Sequence, residues 1–242
     1  REAAELVRSG AIGPVTVVRC DHIVNEWPLG IGNLPDEPVP EGVDWDLYLG
    51  PAPKVAFNKN RACYRFRWFY HYSGGQLTNN GVHYLDLIQW VIGRDAPLAI
   101  TAIGGKYAIQ DNREIPDTME VLWEYPGKTL VIFSQFNCNS APAGPKSNVL
   151  AEFRGTKGTL YVNDRGYEVV PENNAGLPIP ASSPLDRGAG KIYSASRQPA
   201  IEPISAPGSG SSTIAHARNF LDCVKSRAKC NCDIETGHRS TT

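Results

Sequence analysis

Between Tyr72 and Trp90 the chain reads Tyr-Ser-Gly-Gly-Gln-Leu-Thr-Asn-Asn-Gly-Val-His-Tyr-Leu-Asp-Leu-Ile-Gln-Trp. Placed at about 100° per residue, Leu77, Gly81, Tyr84, Leu85, Ile88, Val91 and Ile92 form one stripe, and Asn79, His83, Asp86 and Trp90 form the other. A helix that only needs solubility fills its outer face with Lys and Glu. This one carries an amide, an imidazole, a carboxylate and an indole instead. Imidazole is the side chain that titrates near neutrality, so His83 is the candidate for moving a proton. An amide such as Asn79 donates and accepts hydrogen bonds but takes no proton at neutral pH. His71, Tyr72 and Gln76 approach the same helix end and are candidates for binding hydroxyl groups, with Asp86 in support.

The elements that must position this row can be read on either side of it. Arg1 to Ser9 is a helical stretch with Ala3, Ala4, Leu6 and Val7 as apolar positions and Gly10 as its stop. Val15 to Val24 is rich in β-branched residues and reads as a strand. Glu26 to Asn60 holds six prolines, and a loop that long in a compact domain serves a function or covers something. Arg61 to Tyr72 interleaves arginines with aromatics, either to stack on a ligand or to lead into the helix. Beyond Gly93 come strands at Leu98–Ala108, Asp117–Tyr125, Thr129–Asn139, Val149–Phe153, Thr159–Asn163 and Tyr167–Val170. Tight turns such as Pro126-Gly127 join them, which means antiparallel pairing. Residues 171–212 lack a regular pattern, and a last amphipathic helix spans Thr213 to Ser226 with Ile214, Ala217, Phe220, Leu221 and Val224 as its apolar stripe.

Composition narrows the function classes. The 242 residues carry a net charge of −1 with no basic cluster, which speaks against a nucleic-acid partner. No apolar run approaches the roughly 18 residues of a membrane helix. The six cysteines match no disulfide framework and no paired zinc spacing, so free thiols are expected and no metal. Gly208-Ser-Gly-Ser-Ser-Thr213 imitates a phosphate loop but follows Pro203 and Pro207 rather than a buried strand. The chain opens on Arg1 within a helical pattern and reaches Thr242 with no closing element in view, so it reads as a piece of a longer protein.

Five separated motifs then occur in order. They are Glu5-Leu-Val-Arg-Ser-Gly-Ala-Ile-Gly-Pro14, Asp44-Trp-Asp with Leu49-Gly-Pro-Ala-Pro53, Gly74-Gly-Gln-Leu-Thr-Asn-Asn-Gly-Val-His-Tyr-Leu-Asp86, Gly155-Thr-Lys-Gly-Thr-Leu160 and Asn219-Phe-Leu-Asp-Cys-Val-Lys-Ser-Arg227. Together they resemble the C-terminal domain of the Gfo/Idh/MocA oxidoreductases, the family of glucose–fructose oxidoreductase and inositol dehydrogenase. The resemblance implies an α+β fold: an open, mostly antiparallel sheet with helices packed on one face. It implies one domain over 1–242, with helix 1–9 and tail 228–242 joining an N-terminal Rossmann domain and a closing element that this sequence lacks. It implies NAD or NADP in the parent, none bound by this chain alone, a sugar, cyclitol or related polyol as substrate, and a homo-oligomer formed through the sheet face. The compartment stays open between cytoplasm and export.

The family motif places an Asp four positions before a His, both facing substrate. His83 matches the His, and Asn79 stands where the Asp is expected. The resemblance thus implies His83 as the acid/base and Asn79 as its neighbour orienting substrate. Two alternatives stand beside it: a non-catalytic ligand-binding or oligomerisation module, and an NAD-dependent glycoside-cleaving relative. NADH fluorescence is expected to stay unchanged when this chain is added, and tight binding would overturn the domain reading.

Overall fold

The computed structural model describes residues 1–174, 198–208 and 212–242. Much of the stretch expected to lack regular pattern, 175–197 and 209–211, lies outside them, as does part of the false phosphate loop. Eight strands form one sheet: β1 Val15–Ile23, β2 Ala99–Gly105, β3 Thr118–Tyr125, β4 Thr129–Phe136, β5 Ala151–Gly155, β6 Gly158–Asn163, β7 Gly166–Pro171 and β8 Ile204–Pro207. Their order is β2-β3-β4-β1-β5-β6-β7-β8. The first strand in sequence is therefore central in space. It runs parallel to β4, with Val18 opposite Val131 and Cys20 opposite Phe133, and every other pair is antiparallel. The fold is α+β, an open and mostly antiparallel sheet.

Period-two patterning decides which side is covered. On β3, Val121, Trp123 and Tyr125 are buried, while Glu120, Leu122 and Glu124 face the other way and stay more open. On β1, Val18 and Cys20 belong to the covered side. The helices α1, Glu2–Arg8, and α4, Gly81–Ile92, lie on that side. Leu77, Tyr84, Leu85, Ile88, Val91 and Ile92 join one core with Ala4, Ile12, Val18, Phe133 and Phe153, so the apolar stripe read from sequence does meet the sheet. Gly93 closes α4 in the left-handed conformation common after a helix C-terminus.

The expected single helix is in fact two. A short helix α3, Gln76–Asn79, is followed by Asn80 and then α4. The proline-rich segment also hides a helix, α2, Trp45–Leu49, whose N-cap Asp44 accepts from the Leu47 N–H at 2.8 Å. Past Ser226, where no element is expected, α6, Ile234–Thr241, packs against α4; the helix before it, α5, spans Ser212–Ser226. The apolar residues of α5 meet little: Ile214, Phe220, Leu221 and Val224 are all exposed.

What fixes the approach to α3 is a knot of buried charge between β2 and β3. Arg113 and Asp111 are both fully buried and paired at 2.8 Å, and Glu26 holds the same guanidinium at 2.8 Å. Asp111 also accepts from the Ile31 N–H at 2.7 Å, which clamps the long loop beneath. A side chain on Gly30 would collide with that carboxylate. The Arg113 guanidinium lies 4.3 Å from the centre of the Trp68 ring, and the Trp68 carbonyl accepts from the Glu114 N–H at 2.9 Å. Trp68 ends a 3-10 helix, Cys63–Trp68, which leads directly to α3.

Next to the knot, Asp117 accepts from the backbone N–H groups of Tyr107, Ala108 and Ile109 and from the Thr118 hydroxyl, at 2.9–3.1 Å. Burial pushes its carboxyl up, but these four donors outweigh burial and hold it below the ordinary carboxylate value. A carboxyl depressed on folding contributes stability that is complete above its unfolded pKa, about 3.9, and is lost as pH falls through the folded value. Asp117→Asn is expected to cost about 1–3 kcal/mol at neutral pH. It should also flatten the acid side of the stability profile. Urea midpoints measured from neutral to acidic pH check both, and parallel wild-type and variant curves would refute the assignment.

Candidate functional site

The site is built from the 3-10 helix upward. The Gly75 N–H donates to the Arg67 carbonyl at 3.0 Å, which sets the start of α3 directly on the knot described above. Gly75 has φ +71, and a Cβ there would collide with Ile115. Gly75 is thus a steric requirement where the chain turns into the helix. Thr78 steadies the turn by accepting from the Gly74 N–H at 2.9 Å. Gln76 follows, nearly fully buried. Its Oε1 accepts from Asn79 Nδ2 and from Asn80 Nδ2, each at 3.0 Å. Asn80 Nδ2 also lies 2.8 Å from His22 Nδ1, which joins the helix pair to the end of β1.

Across the α3–α4 junction Asn79 and Asn80 both reach Gln76, and the His83 N–H donates to the Asn80 carbonyl at 3.1 Å, so these four residues follow one another as a polar wall. The structure brings Asn79 and Gln76 into hydrogen-bond contact. His83 follows on the next turn, exposed, and its ring has no hydrogen-bond partner among the described residues. Asp86 goes elsewhere: its Oδ1 accepts from Ser240 Oγ at 2.8 Å, which ties α4 to α6. His71 is exposed one segment away. Tyr72 packs at the seam of the two small aromatic clusters, Ile31–Trp68–Phe69–Ile115 and Trp45–Leu49–Phe57. Its hydroxyl is buried without a protein partner among the described residues, and burial pushes its pKa up.

Sequence reading missed two members. Asn80 is invisible as a site residue because its value lies in linking Gln76 to a strand 58 positions away. His22 reads as structural or exposed, yet the structure half-buries it against Asn80. Burial lowers its pKa, and the nearby Arg67 charge lowers it further. The signal was the strand's alternation, since Val18, Cys20 and His22 share the helix-facing side. His22 also lines a cavity of about 420 Å³ with Asp21, Tyr84 and the loop before β5. Volumes of this order suit a small organic ligand.

A dinucleotide needs a strand–glycine loop–helix unit followed by a parallel strand. The parallel pair here, β1 and β4, is separated along the chain by the antiparallel β2 and β3, so no such unit exists among the described residues. Nor do three or more His, Cys, Asp or Glu side chains converge on a metal position among these residues.

Comparison with solved structures supports the fold. An aldose-aldose oxidoreductase from Caulobacter crescentus complexed with glycerol is similar at TM-score 0.55 and 16% identity, over 99% of this chain and 54% of that one. Levoglucosan dehydrogenase in complex with NADH is similar at TM-score 0.56 and 15% identity, over 99% and 57%. An oxidoreductase domain protein from Kribbella flavida is similar at TM-score 0.55 and 16% identity, over 99% and 57%. The chain thus spans a little over half the length of these relatives. Comparison with curated proteins finds no match. The model of the oxidoreductase family's C-terminal alpha/beta domain matches residues 1–165, more than half of the sequence. The chain belongs to the Gfo/Idh/MocA oxidoreductase family, as its C-terminal alpha/beta domain.

Proposed function

We propose that this chain is the substrate-binding half of a nicotinamide-dependent oxidoreductase acting on a sugar, cyclitol or related polyol. The observation that carries the reading is the wall on α3 and α4. Asn79 and Asn80 each donate to Gln76, and His83 stands on the next turn with its ring open to solvent. Hydride acceptance belongs to NAD or NADP, held by the rest of a longer protein. This chain's share is to bind the polyol and to take the hydroxyl proton on His83 as the carbon is oxidised. Asn79, whose amide donates to Gln76, orients a substrate hydroxyl and leaves the proton to the imidazole. His71, Tyr72 and Gln76 lie on the approach to this wall. Asp86, bonded to Ser240, supports the wall through α6 and is not assigned a contact with substrate.

Assembly into a homo-oligomer through the uncovered sheet face fits the same reading. Leu122, Leu130 and Ile132 are only partly covered there and Ile103 is exposed. A second reading, a binding and oligomerisation module without catalysis, is favoured by one observation: Asn79 stands where the family's motif carries an acid. The two readings separate in the longer protein. His83→Ala is expected to lower turnover of a panel of aldoses and cyclitols by about 10²–10⁴-fold, the usual worth of a general acid–base group. Turnover equal to wild type would remove His83 from the chemistry, and absence of nicotinamide reduction by the wild-type protein would favour the module.

A further inference from the structure

We infer that His22 is a substrate-binding residue of this site, a neutral imidazole whose Nε2–H donates to a polyol oxygen in the cavity at the end of β1. The inference rests on the proposed function for the identity of the ligand class, but its geometry is independent of His83. Gln76 Oε1 accepts from both carboxamides, so the Asn80 Nδ2 group is a donor, and it lies 2.8 Å from His22 Nδ1. A nitrogen that accepts carries no proton, and in a neutral imidazole the proton is then on the other nitrogen. Nδ1 is thereby occupied by Asn80. Nε2 has no protein partner among the described residues, and His22 lines the 420 Å³ cavity beside Tyr84 and Asp21.

Electrostatics keep the ring in that form. Burial disfavours the imidazolium, and Arg67, on the 3-10 helix beneath α3, disfavours it further. Among the described residues the Arg67 guanidinium makes no ion pair, its Nε is buried without a hydrogen-bond partner, and it stacks 4.0 Å from the centre of the Tyr64 ring. An uncompensated positive charge on one side and an amide donor on the other leave His22 no reason to take a second proton. A permanent N–H donor is suited to a hydroxyl or carbonyl oxygen, and it complements His83, whose proposed task needs a ring that can change charge. Asn80 and Gln76 act through His22 and are positioning residues. His22 then connects the two: Asn80 of the wall holds its Nδ1, and its own side chain lines the cavity.

Nitrogen-15 spectra of this chain test the tautomer. His22 should appear as the Nε2–H form at neutral pH and remain neutral below the pH at which an ordinary imidazole, near 6.5, gains its proton. Replacing the donor in Asn80→Asp should protonate the ring at neutral pH, because a carboxylate would then face Nδ1. An Nδ1–H tautomer or an imidazolium in the wild-type chain at neutral pH overturns the inference. The binding arm uses D-glucose and myo-inositol as probes. His22→Phe should weaken the Kd of at least one of them by about 3–10-fold, the worth of one hydrogen bond, while His22→Gln, which retains a side-chain N–H, should keep most of the affinity. Equal Kd values for wild type and His22→Phe, or no binding of either polyol, likewise overturn it. Circular dichroism confirms that both variants are folded. None of these outcomes touches His83, so failure here and failure of the redox reading are told apart by turnover of the His83→Ala parent.

Discussion

The position of everything near α3 depends on one buried ion pair. Arg113 and Asp111 are both removed from water, and such a pair stabilises a fold little compared with apolar residues of the same volume. Its importance here lies in what it orders. The carboxylate takes the Ile31 N–H, the guanidinium takes Glu26 and lies on Trp68, and Trp68 receives the backbone of Glu114. Three loops from distant parts of the sequence therefore meet at a point where any one missing partner leaves a buried charge unpaired. That penalty, about 3–5 kcal/mol for a broken buried pair, turns a long proline-rich loop into a fixed platform. Gly75 and α3 stand on it, with Ile115 excluding any residue but glycine at the turn.

Above that platform the chemistry shifts from charge to amides. Gln76, Asn79, Asn80 and His22 carry no net charge among them when the imidazole is neutral. The bonds from Asn79 and Asn80 to Gln76 and the contact of Asn80 with His22 offset part of the cost of burying these groups. A carboxylate at position 79 would compete with Gln76 Oε1 for donors and would bring a charge next to Asn80. The amide instead allows Gln76 to hold both neighbours with a single oxygen. On the proposed reading, a catalytic acid is exchanged for a rigid hydrogen-bonding wall, and the proton falls to His83 alone.

Much of this was legible because it rests on period and local chemistry. The alternation in Met119 to Tyr125 identifies a strand with one covered face, and the stripe from Leu77 to Ile92 identifies the face of α4 that meets Phe133 and Val18. The hairpin at Gly155-Thr-Lys-Gly158 lies between β5 and β6 as its glycines suggest. The parts that escaped depend on partners far along the chain. Asp86 reads as chemical and is bonded to Ser240, 154 positions away. His22 reads as plain and meets Asn80. The helix α2 has five residues between prolines, too few to show a period, and depends on the Asp44 cap and on the seat of Trp45 against Phe57. The break at Asn80 is also silent in sequence, since all its neighbours favour a single helix stripe. The opposite failure occurs at α5: its stripe is plain in sequence, yet Phe220 and Leu221 are exposed in the described structure, because periodicity reports that a face is apolar and not what covers it.

Core and wall are also separable in energy. The core residues of α4, Ile88 and Val91, are almost wholly buried against the sheet, and truncating either would cost a few kcal/mol. His83 and Asn79 lie on the other side, outside that core, and a change there removes no packed apolar surface. One helix can therefore keep its seat on β1 and β4 while its polar face is rewritten. That is the physical setting in which an amide can occupy an acid's position without disturbing the fold. The limit on such rewriting comes from the two residues that belong to both worlds. Gln76 is buried and yet orders the wall, and Asn80 ties the wall to the central strand, so changes at these positions would move His22 and the helix end together.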